Sequence, residues 1–318
     1  MQKQKHDEIE VLRTIAKLYY KDNFTQSQIA TRYGLSRPKV SRLLTESRKT
    51  GIVKIFIADE VDIEEELQEQ LLQKYHLKAV RVVSIPNDDK SLAQQITAQE
   101  AAKFMVNLLE AGDIVGVSWG YTIYTIARAF PTLTLPNIEL VQLSGNLDNV
   151  NRASRADEIL GILSQKLHAE NAYTFPCPAM VDNEIILDTM LHDNRIRKVF
   201  DKAQNCNKAI VNIAAIDEND CLLKGGYIDN KKLEQLMNKQ VAGRICCHYI
   251  NTNGNVCDEN LDRRTMGVKL EELKKKRFVM TCITSEKKLK PLVAALKGEY
   301  INVLVIDSIC AEKLLKEY

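Results

Sequence analysis

None of the eight cysteines of this 318-residue chain stands in a C-x-x-C pair. They are Cys177, Cys206, Cys221, Cys246, Cys247, Cys257, Cys282 and Cys310, and several lie in apolar runs such as RICCHYI. That pattern argues for reduced, buried thiols and against a disulfide frame or a zinc site. A redox role for the vicinal Cys246 and Cys247 is the alternative reading of that pair. His6, His76, His168, His192 and His248 show no ligand spacing with one another or with cysteine, so no metal is expected. No apolar run approaches a membrane span, and the N-terminal MQKQKHDEIEV lacks an apolar signal core, which leads to the expectation of a cytoplasmic protein with no membrane partner. A G-x-G-x-x-G fingerprint, a G-K-[ST] phosphate loop and a nucleophile elbow are all missing. No histidine pairs with serine or cysteine in a recognisable motif. The expected protein therefore has no catalytic residues and no cofactor, and is not an enzyme.

What is present is concentrated first at Phe24–Ile57, FTQSQIATRYGLSRPKVSRLLTESRKTGIVKIFI. Thr25 is a good N-cap for a helix running to about Arg32, with Ile29 and Ala30 apolar at its centre. Gly34 falls where the helix must stop, because glycine enters a left-handed turn without steric cost. Ser36 caps a second helix with Pro38 in its first turn. Val40, Leu43 and Leu44 have core spacing there, and Arg37, Lys39, Ser41, Arg42 and Thr45 lie opposite. Gly51 ends that helix, and Ile52–Ile57 alternates well enough for a strand. Upstream, Ile9, Leu12, Ile15, Ala16 and Tyr19 form an apolar stripe that would complete a three-helix core. The whole reads as a winged helix-turn-helix, which places its second helix in the major groove of DNA. Gln26, Ser36, Arg37, Lys39, Ser41, Arg42 and Thr45 are the residues expected to meet bases and phosphates.

Charge agrees. Residues 1–57 hold twelve Lys and Arg against five Asp and Glu, a net of +7, which leaves −5 for the rest of a chain whose total is +2. A basic segment on a mildly acidic body is the footprint of local phosphate contact. The plain alternative is a winged helix used only for protein contact.

The remainder is long enough for a larger second domain. VDIEEELQEQLLQKYHL carries Ile63, Leu67, Leu71 and Leu72 in a helical stripe with acids opposite. It reads either as a surface helix packed on its own domain or as a linker helix that pairs subunits. The expected division is 1–57 for DNA binding, 58–78 for the linker helix and 79–318 for effector binding and oligomerisation. Strand-like runs follow at Ala79–Val83, Ile114–Val117, Ile138–Leu143, Ala209–Ile213, Arg244–His248, Phe278–Ile283 and Val303–Ile306. Helical patterns intervene at roughly 89–110, 121–129, 156–168, 182–203, 231–239, 286–297 and 308–316. Such alternation predicts an α/β domain with a mostly parallel sheet covered on both faces, binding ligands at the carboxyl ends of its strands.

Three segments are candidates for that site. In GDIVGVSWGYTIYTIARAF a buried strand runs into Ser118, Trp119, Gly120, Tyr121 and Thr122 and then a helix. That turn aims N–H groups and hydroxyls at a helix N-terminus, a ready anion site. The plain alternative is a βα turn that uses Gly120 for geometry. In VQLSGNLDNVNRASRADEI, Gly145 and Asn146 sit at another strand end, and Arg155 and Asp157 open the next helix. Lys288 lies in the first turn after strand 278–283, with Lys287 and Lys290 competing for its role. Gln240 at a strand entry is a polar candidate only.

On these motifs the chain resembles the SorC-type sugar-binding transcriptional regulators of bacteria, within them most the deoxyribonucleoside regulator branch. The marks include LYY at 18–20, TQSQIA at 25–30, LSRPKVSRLL at 35–44, GIVKIFI at 51–57, GDIVGVSWGYT at 112–122 and VQLSG at 141–145. PCPAMVDN at 176–183, DRRTMGVKLEEL at 262–273 and NVLVIDSICAEKLL at 302–315 extend the resemblance over nearly the whole chain. It implies a large domain with the fold of glucosamine-phosphate deaminases and ribose-phosphate isomerases, without the enzyme activity. It also implies operator DNA and a phosphorylated sugar as partners, and assembly into a homodimer or homotetramer. The family's phosphate loop falls on Ser118, Gly120, Tyr121 and Thr122, and its second loop on Ser144, Gly145 and Asn146. The helix start falls on Arg155 and Asp157, the entry residue on Gln240 and the late lysine on Lys288. Five features depart from the pattern. Ser144 stands where the branch has a lysine able to form a Schiff base, and Asn146 where many relatives have glycine. Thr284-Ser285 replaces Gly-Gly, NIAA at 212–215 replaces a GIG-like segment, and Arg244 stands where an acid is common. The expectation is a transcriptional regulator of a carbohydrate or nucleoside catabolic operon. An active sugar-phosphate isomerase or deaminase fused to a DNA module is the second reading.

Overall fold

The computed structural model describes residues 2–53 (side chains from Ile9 onward), 63–85, 90–147 and 155–318. The chain divides into two compact units, 1–60 and 61–318. In the first, helices α1 (Gln2–Tyr20), α2 (Gln26–Tyr33) and α3 (Arg37–Lys49) close on a small core of Ile15, Leu18, Ile29, Ala30, Val40 and Leu44. Thr25 and Gln28 form a reciprocal capping box at the start of α2. Gly34 ends α2 at φ 63°, in the left-handed region where a Cβ is disfavoured. Ser36 caps α3 by accepting from the Lys39 N–H at 3.3 Å. Leu18 takes the buried place in the α1 stripe and Tyr19 is only partly covered. Of the strand expected over Ile52–Ile57, Ile52 and Val53 are bends after the Gly51 turn; positions 54–57 lie outside the described residues.

The second unit is built on seven parallel strands in the order β1-β10-β9-β5-β2-β3-β4. They are β1 (Ala79–Val83), β2 (Ile114–Val117), β3 (Glu139–Gln142), β4 (Asn171–Tyr173), β5 (Lys208–Ile210), β9 (Phe278–Ile283) and β10 (Val303–Asp307). Alternate side chains of β10 divide between two cores. Val303 and Val305 join the cluster under helices 90–108, 121–129 and 156–167, and Leu304 and Ile306 join the one under helices 194–205, 289–297 and 308–317. Burial on both faces explains why these strands read as continuous apolar runs. A separate antiparallel sheet holds β6 (Ile213–Ala214), β7 (Val241–Ile245) and β8 (His248–Asn251).

Several expected elements are corrected. The run Ala209–Ile213 is two strands, β5 and β6, in different sheets. Arg244–His248 is not one strand: Cys246 and Cys247 both have positive φ (46° and 69°) and form the two-residue turn between β7 and β8. Positive φ at both central positions matches the twist of a tight hairpin, although asparagine and glycine usually occupy them. The helical pattern 182–203 is broken at Asp193, which caps the second of two helices, Glu184–Leu191 and Asn194–Asn205. Strand β4 and the short helices at 221–224, 259–263 and 270–274 were not expected.

Helix Glu65–Tyr75 belongs to the larger unit. Leu71 is fully buried in the core shared with Val80 and Leu314, Gln68 Oε1 accepts from the Val82 N–H at 3.1 Å, and Lys74 Nζ donates to the Leu315 carbonyl. Those contacts are the ones expected of a surface helix packed on its own domain.

At the amino ends of β2 and β5, Lys208 is fully buried. Its Nζ donates to Asp113 Oδ2 at 2.6 Å, and Asn207 Nδ2 donates to Asp113 Oδ1 at 2.7 Å.

Candidate effector site and nucleic-acid face

On α3, Arg37, Lys39, Ser41 and Arg42 are exposed, opposite buried Val40 and Leu44. Arg48 and Lys49 extend the basic face, and Glu46 is its only acid. Gln26, the first residue of α2, and Thr45 are half-buried. The Thr45 hydroxyl donates to the Ser41 carbonyl, and Ser36 is occupied as the helix cap. Of the expected DNA-facing set, four side chains thus project freely and three are partly committed within the fold.

In the larger unit the strand order reverses between β2 and β5. Helix 121–129 leads from β2 to β3 on one side, whereas the chain after β5 continues to β9 on the other. A doubly wound sheet leaves its ligand crevice at such a point. Ser118 follows β2; its N–H donates to the Ile210 carbonyl (2.9 Å), and its Oγ accepts from the Asn212 N–H (2.7 Å). Gly120 has φ 125°, and a Cβ there would lie 2.6 Å from Asn212 Nδ2. Glycine is therefore required both by the backbone and by the approach of Asn212. No side chain caps the N-terminus of helix 121–129. Its first N–H groups lack partners within the helix and carry the positive end of its dipole.

Lys288 closes this loop from the other side. Its Nζ donates to Thr122 Oγ1 (3.1 Å) and Asn212 Oδ1 (2.9 Å). Burial of the ammonium pushes its pKa down to about 8. The nearby Cys282 thiol is pushed up to about 12, also by burial. An ammonium, a threonine hydroxyl and an open helix N-terminus are together the kind of donors that suit an anion with several acceptor oxygens.

The structure brings Ser118, Gly120, Thr122 and Lys288 together. Ser144 is 1% exposed and lines a small cavity behind the loop, with Ser118, Trp119 and Asn212. Gly145 packs its Cα against the Pro178 carbonyl and accepts from Trp119 Nε1 at 3.3 Å. Asn146 is committed internally, accepting from Gln142 Nε2 and donating to the Phe175 carbonyl. Tyr121 is 61% exposed at the helix start. Arg155 stands before helix 156–167 at φ 49°, 4.2 Å from the Tyr124 ring centroid and paired with Glu158; Asp157 is exposed. Gln240 is exposed at the end of helix 230–238 and donates its N–H to the Met237 carbonyl. It does not line the cavity. Two residues of the site were not among the expected ones: Asn212, which ties Lys288 to Ser118, and Arg244, whose guanidinium lies over Trp119. No signal in the sequence marked Asn212, which fell inside the expected strand Ala209–Ile213.

A basic helix-turn-helix joined to a parallel α/β domain with a cationic crevice at its switch point fits a class: ligand-responsive DNA-binding regulators. Residues 59–316 match the sugar-binding domain family, and the chain belongs to the SorC-type sugar-binding transcriptional regulators. It is 30% identical to the deoxyribonucleoside regulator of Bacillus subtilis (strain 168), over 95% of this chain and 96% of that protein. It is 29% identical to the sorbitol operon regulator of Klebsiella pneumoniae, over 98% and 99%. The crystal structure of that full-length regulator, SorC, is similar with a TM-score of 0.72, covering 98% of this chain and 100% of that one. These relatives are regulators, not enzymes. Among the described residues no helix is long and apolar enough to cross a membrane.

Proposed function

We propose that this protein is a cytoplasmic homo-oligomeric regulator of a carbohydrate or nucleoside catabolic operon. It grips operator DNA with Arg37, Lys39, Ser41 and Arg42 of α3, and a phosphorylated sugar sets the strength of that grip. The observation that carries the effector half is the convergence of Lys288, Thr122 and the uncapped start of helix 121–129 at the sheet's switch point. Phosphate oxygens take the helix N–H groups and the Lys288 ammonium, and the sugar extends toward Ser144. A ligand shifts DNA affinity only through unequal affinity for two conformations or assemblies, so the bound sugar phosphate favours one of them. A symmetric dimer presents two α3 helices to half-sites about one helical turn apart, so the operator is an approximate palindrome. The test is a titration of labelled DNA from the region upstream of the protein's own gene, followed by addition of pentose and hexose monophosphates. A change in DNA affinity with one of them supports the reading. Salt-sensitive DNA binding that no sugar phosphate alters would remove the effector half, and absence of DNA binding would remove the whole.

A further inference from the structure

Helix Glu184–Leu191 holds five large apolar side chains in eight residues, Ile185, Ile186, Leu187, Met190 and Leu191, and buries none of them. Ile185 is 76% exposed, more than any other large apolar residue among those described. Leu187, Met190 and Leu191 lean on the core beneath but stay partly open. A surface helix of a finished fold keeps its apolar stripe against a core. Here Leu187 and Leu191 instead line an open cleft, whose other apolar walls are Phe200, Val256 and Leu270. The cleft has a volume of about 290 Å³, against the roughly 10–15 Å³ that admits one water. It has room for side chains from outside. A contiguous exposed apolar surface of this kind marks an interaction site.

The charges at the rim indicate what covers it. Asp188 on the helix and Lys269 on the facing wall both line the cleft, and both are exposed. Neither pairs with an opposite charge among the described residues. Arg263 reaches Glu184 only at 3.9 Å and Glu259 at 3.6 Å, and all three side chains are more than half exposed. Each copy of the chain thus presents an apolar knob, an apolar hollow and one unpaired charge of each sign on opposite walls. A two-fold axis turns such a set upon itself: the knob of one copy enters the hollow of the other, and acid meets lysine twice.

Resting on the homo-oligomeric reading above, we propose that helix 184–191 and the cleft beside it form a two-fold contact between two copies of this chain. Ile185 of each copy seats in the other's cleft, and Asp188 pairs with the partner subunit's Lys269. An apolar centre ringed by charges is the usual anatomy of such a contact. A contact of standard size covers about 800 Å² per copy, so the helix and the cleft walls are its centre and not its whole extent. None of these residues belongs to the anion loop or to α3, so changing them leaves the effector and DNA faces intact.

Sedimentation velocity of the full-length protein over a dilution series provides the test. Ile185→Glu puts a charge at the centre of the contact and raises the dissociation constant for this step at least about thirtyfold, the effect of a hot-spot residue. The side chain it replaces is exposed in the single copy, so the variant still folds. Asp188→Lys and Lys269→Asp each set like charges opposite one another and weaken association about tenfold. An equimolar mixture of these two variants restores both opposite-charge pairs between unlike copies and associates like the parent. Recovery on mixing is a result that a merely destabilised variant cannot give. If the parent is a monomer at every concentration, the homo-oligomeric reading fails and this inference falls with it. If the parent is an oligomer whose dissociation Ile185→Glu leaves unchanged, or if the mixture associates no better than its components, only this inference falls, and the face belongs to a different partner.

Discussion

The Lys288 ammonium donates at 2.9 Å to Asn212 Oδ1, and neither this partner nor Thr122 Oγ1 carries a charge. Among the described residues no carboxylate pairs with Lys288. An ammonium buried against neutral oxygens is poised for an incoming anion, which would complete a charge-assisted pair.

That arrangement has a pH signature. Without ligand the Lys288 pKa is about 8, below its ordinary value because of burial. A bound phosphate favours the ammonium and raises that pKa, so binding above pH 8 takes up a proton. Affinity for the sugar phosphate falls as pH rises beyond about 8, by at most about tenfold per pH unit. The same shift sets the sign for stability. The folded pKa lies below the unfolded one, so the buried charge subtracts stability at neutral pH, and the loss is relieved as pH rises through 8. Calorimetry in two buffers of different ionisation enthalpy reads the proton uptake at pH 8.5. In Lys288→Met both the uptake and most of the affinity disappear. A wild-type affinity flat between pH 7 and 9.5 would show that Lys288 does not meet the anion.

Gly120→Ala attacks the same relationship from the backbone. The new Cβ falls 2.6 Å from Asn212 Nδ2 at a φ of 125°. Asn212 must move, and with it the bond that its Oδ1 accepts from Lys288 Nζ and the bond that its N–H donates to Ser118 Oγ. Unfolding of the larger unit can be followed by Trp119, the chain's only tryptophan, which is buried. The expected cost is about 1–3 kcal/mol, with effector affinity down at least about tenfold. Retained affinity would mean that the loop tolerates the displaced Asn212.

Much of this was legible in the sequence because local signals and global fold agree. Thr25, Gly34, Ser36 and Pro38 each punctuate a helix by backbone chemistry alone, and all four act where the sequence places them. Strands β1, β2 and β9 match their apolar runs because both faces are buried and nothing interrupts them. Ser118, Gly120 and Thr122 were readable from one strand–loop–helix turn. Asn212 was not, because its role depends on β5 lying beside β2, a pairing between positions nearly a hundred residues apart. Cys246 and Cys247 misled because their turn lacks the usual Asn-Gly, so two strands read as one. Arg155, Asp157 and Gln240 were only polar loop candidates in the sequence; the structure pairs Arg155 with Glu158 and leaves Asp157 and Gln240 exposed.

The two units allow a clean separation of functions. Arg42 is exposed on the outer face of α3, so Arg42→Ala removes a groove contact without opening the head's core. Operator binding weakens by about 1–3 kcal/mol. If the contact is to phosphate, the salt dependence also drops by about one counterion. Thr122→Ala deletes an acceptor of Lys288 and weakens the effector response, with operator binding retained in its absence. Fluorescence anisotropy of labelled operator, with and without the sugar phosphate, measures both. A normal response in Thr122→Ala would count against the anion loop, and an undiminished operator affinity in Arg42→Ala would move the reading face elsewhere.

The far end of the same two strands yields a prediction about folding. Lys208 Nζ and Asp113 Oδ2 are 2.6 Å apart, and both residues are buried at the amino ends of β5 and β2. Asp113→Ala leaves the Lys208 ammonium in the interior without its close carboxylate; Glu110, 3.5 Å away and more than half exposed, is a weak substitute. Removing one partner of a buried pair costs about 3–5 kcal/mol. In urea, the Trp119-reported midpoint of Asp113→Ala therefore falls well below that of the parent. Asp113→Ala combined with Lys208→Met removes both charges and recovers part of the loss. A double variant no more stable than Asp113→Ala would show that the cost lies in lost packing and in the Asn207 hydrogen bond, and not in the stranded ammonium.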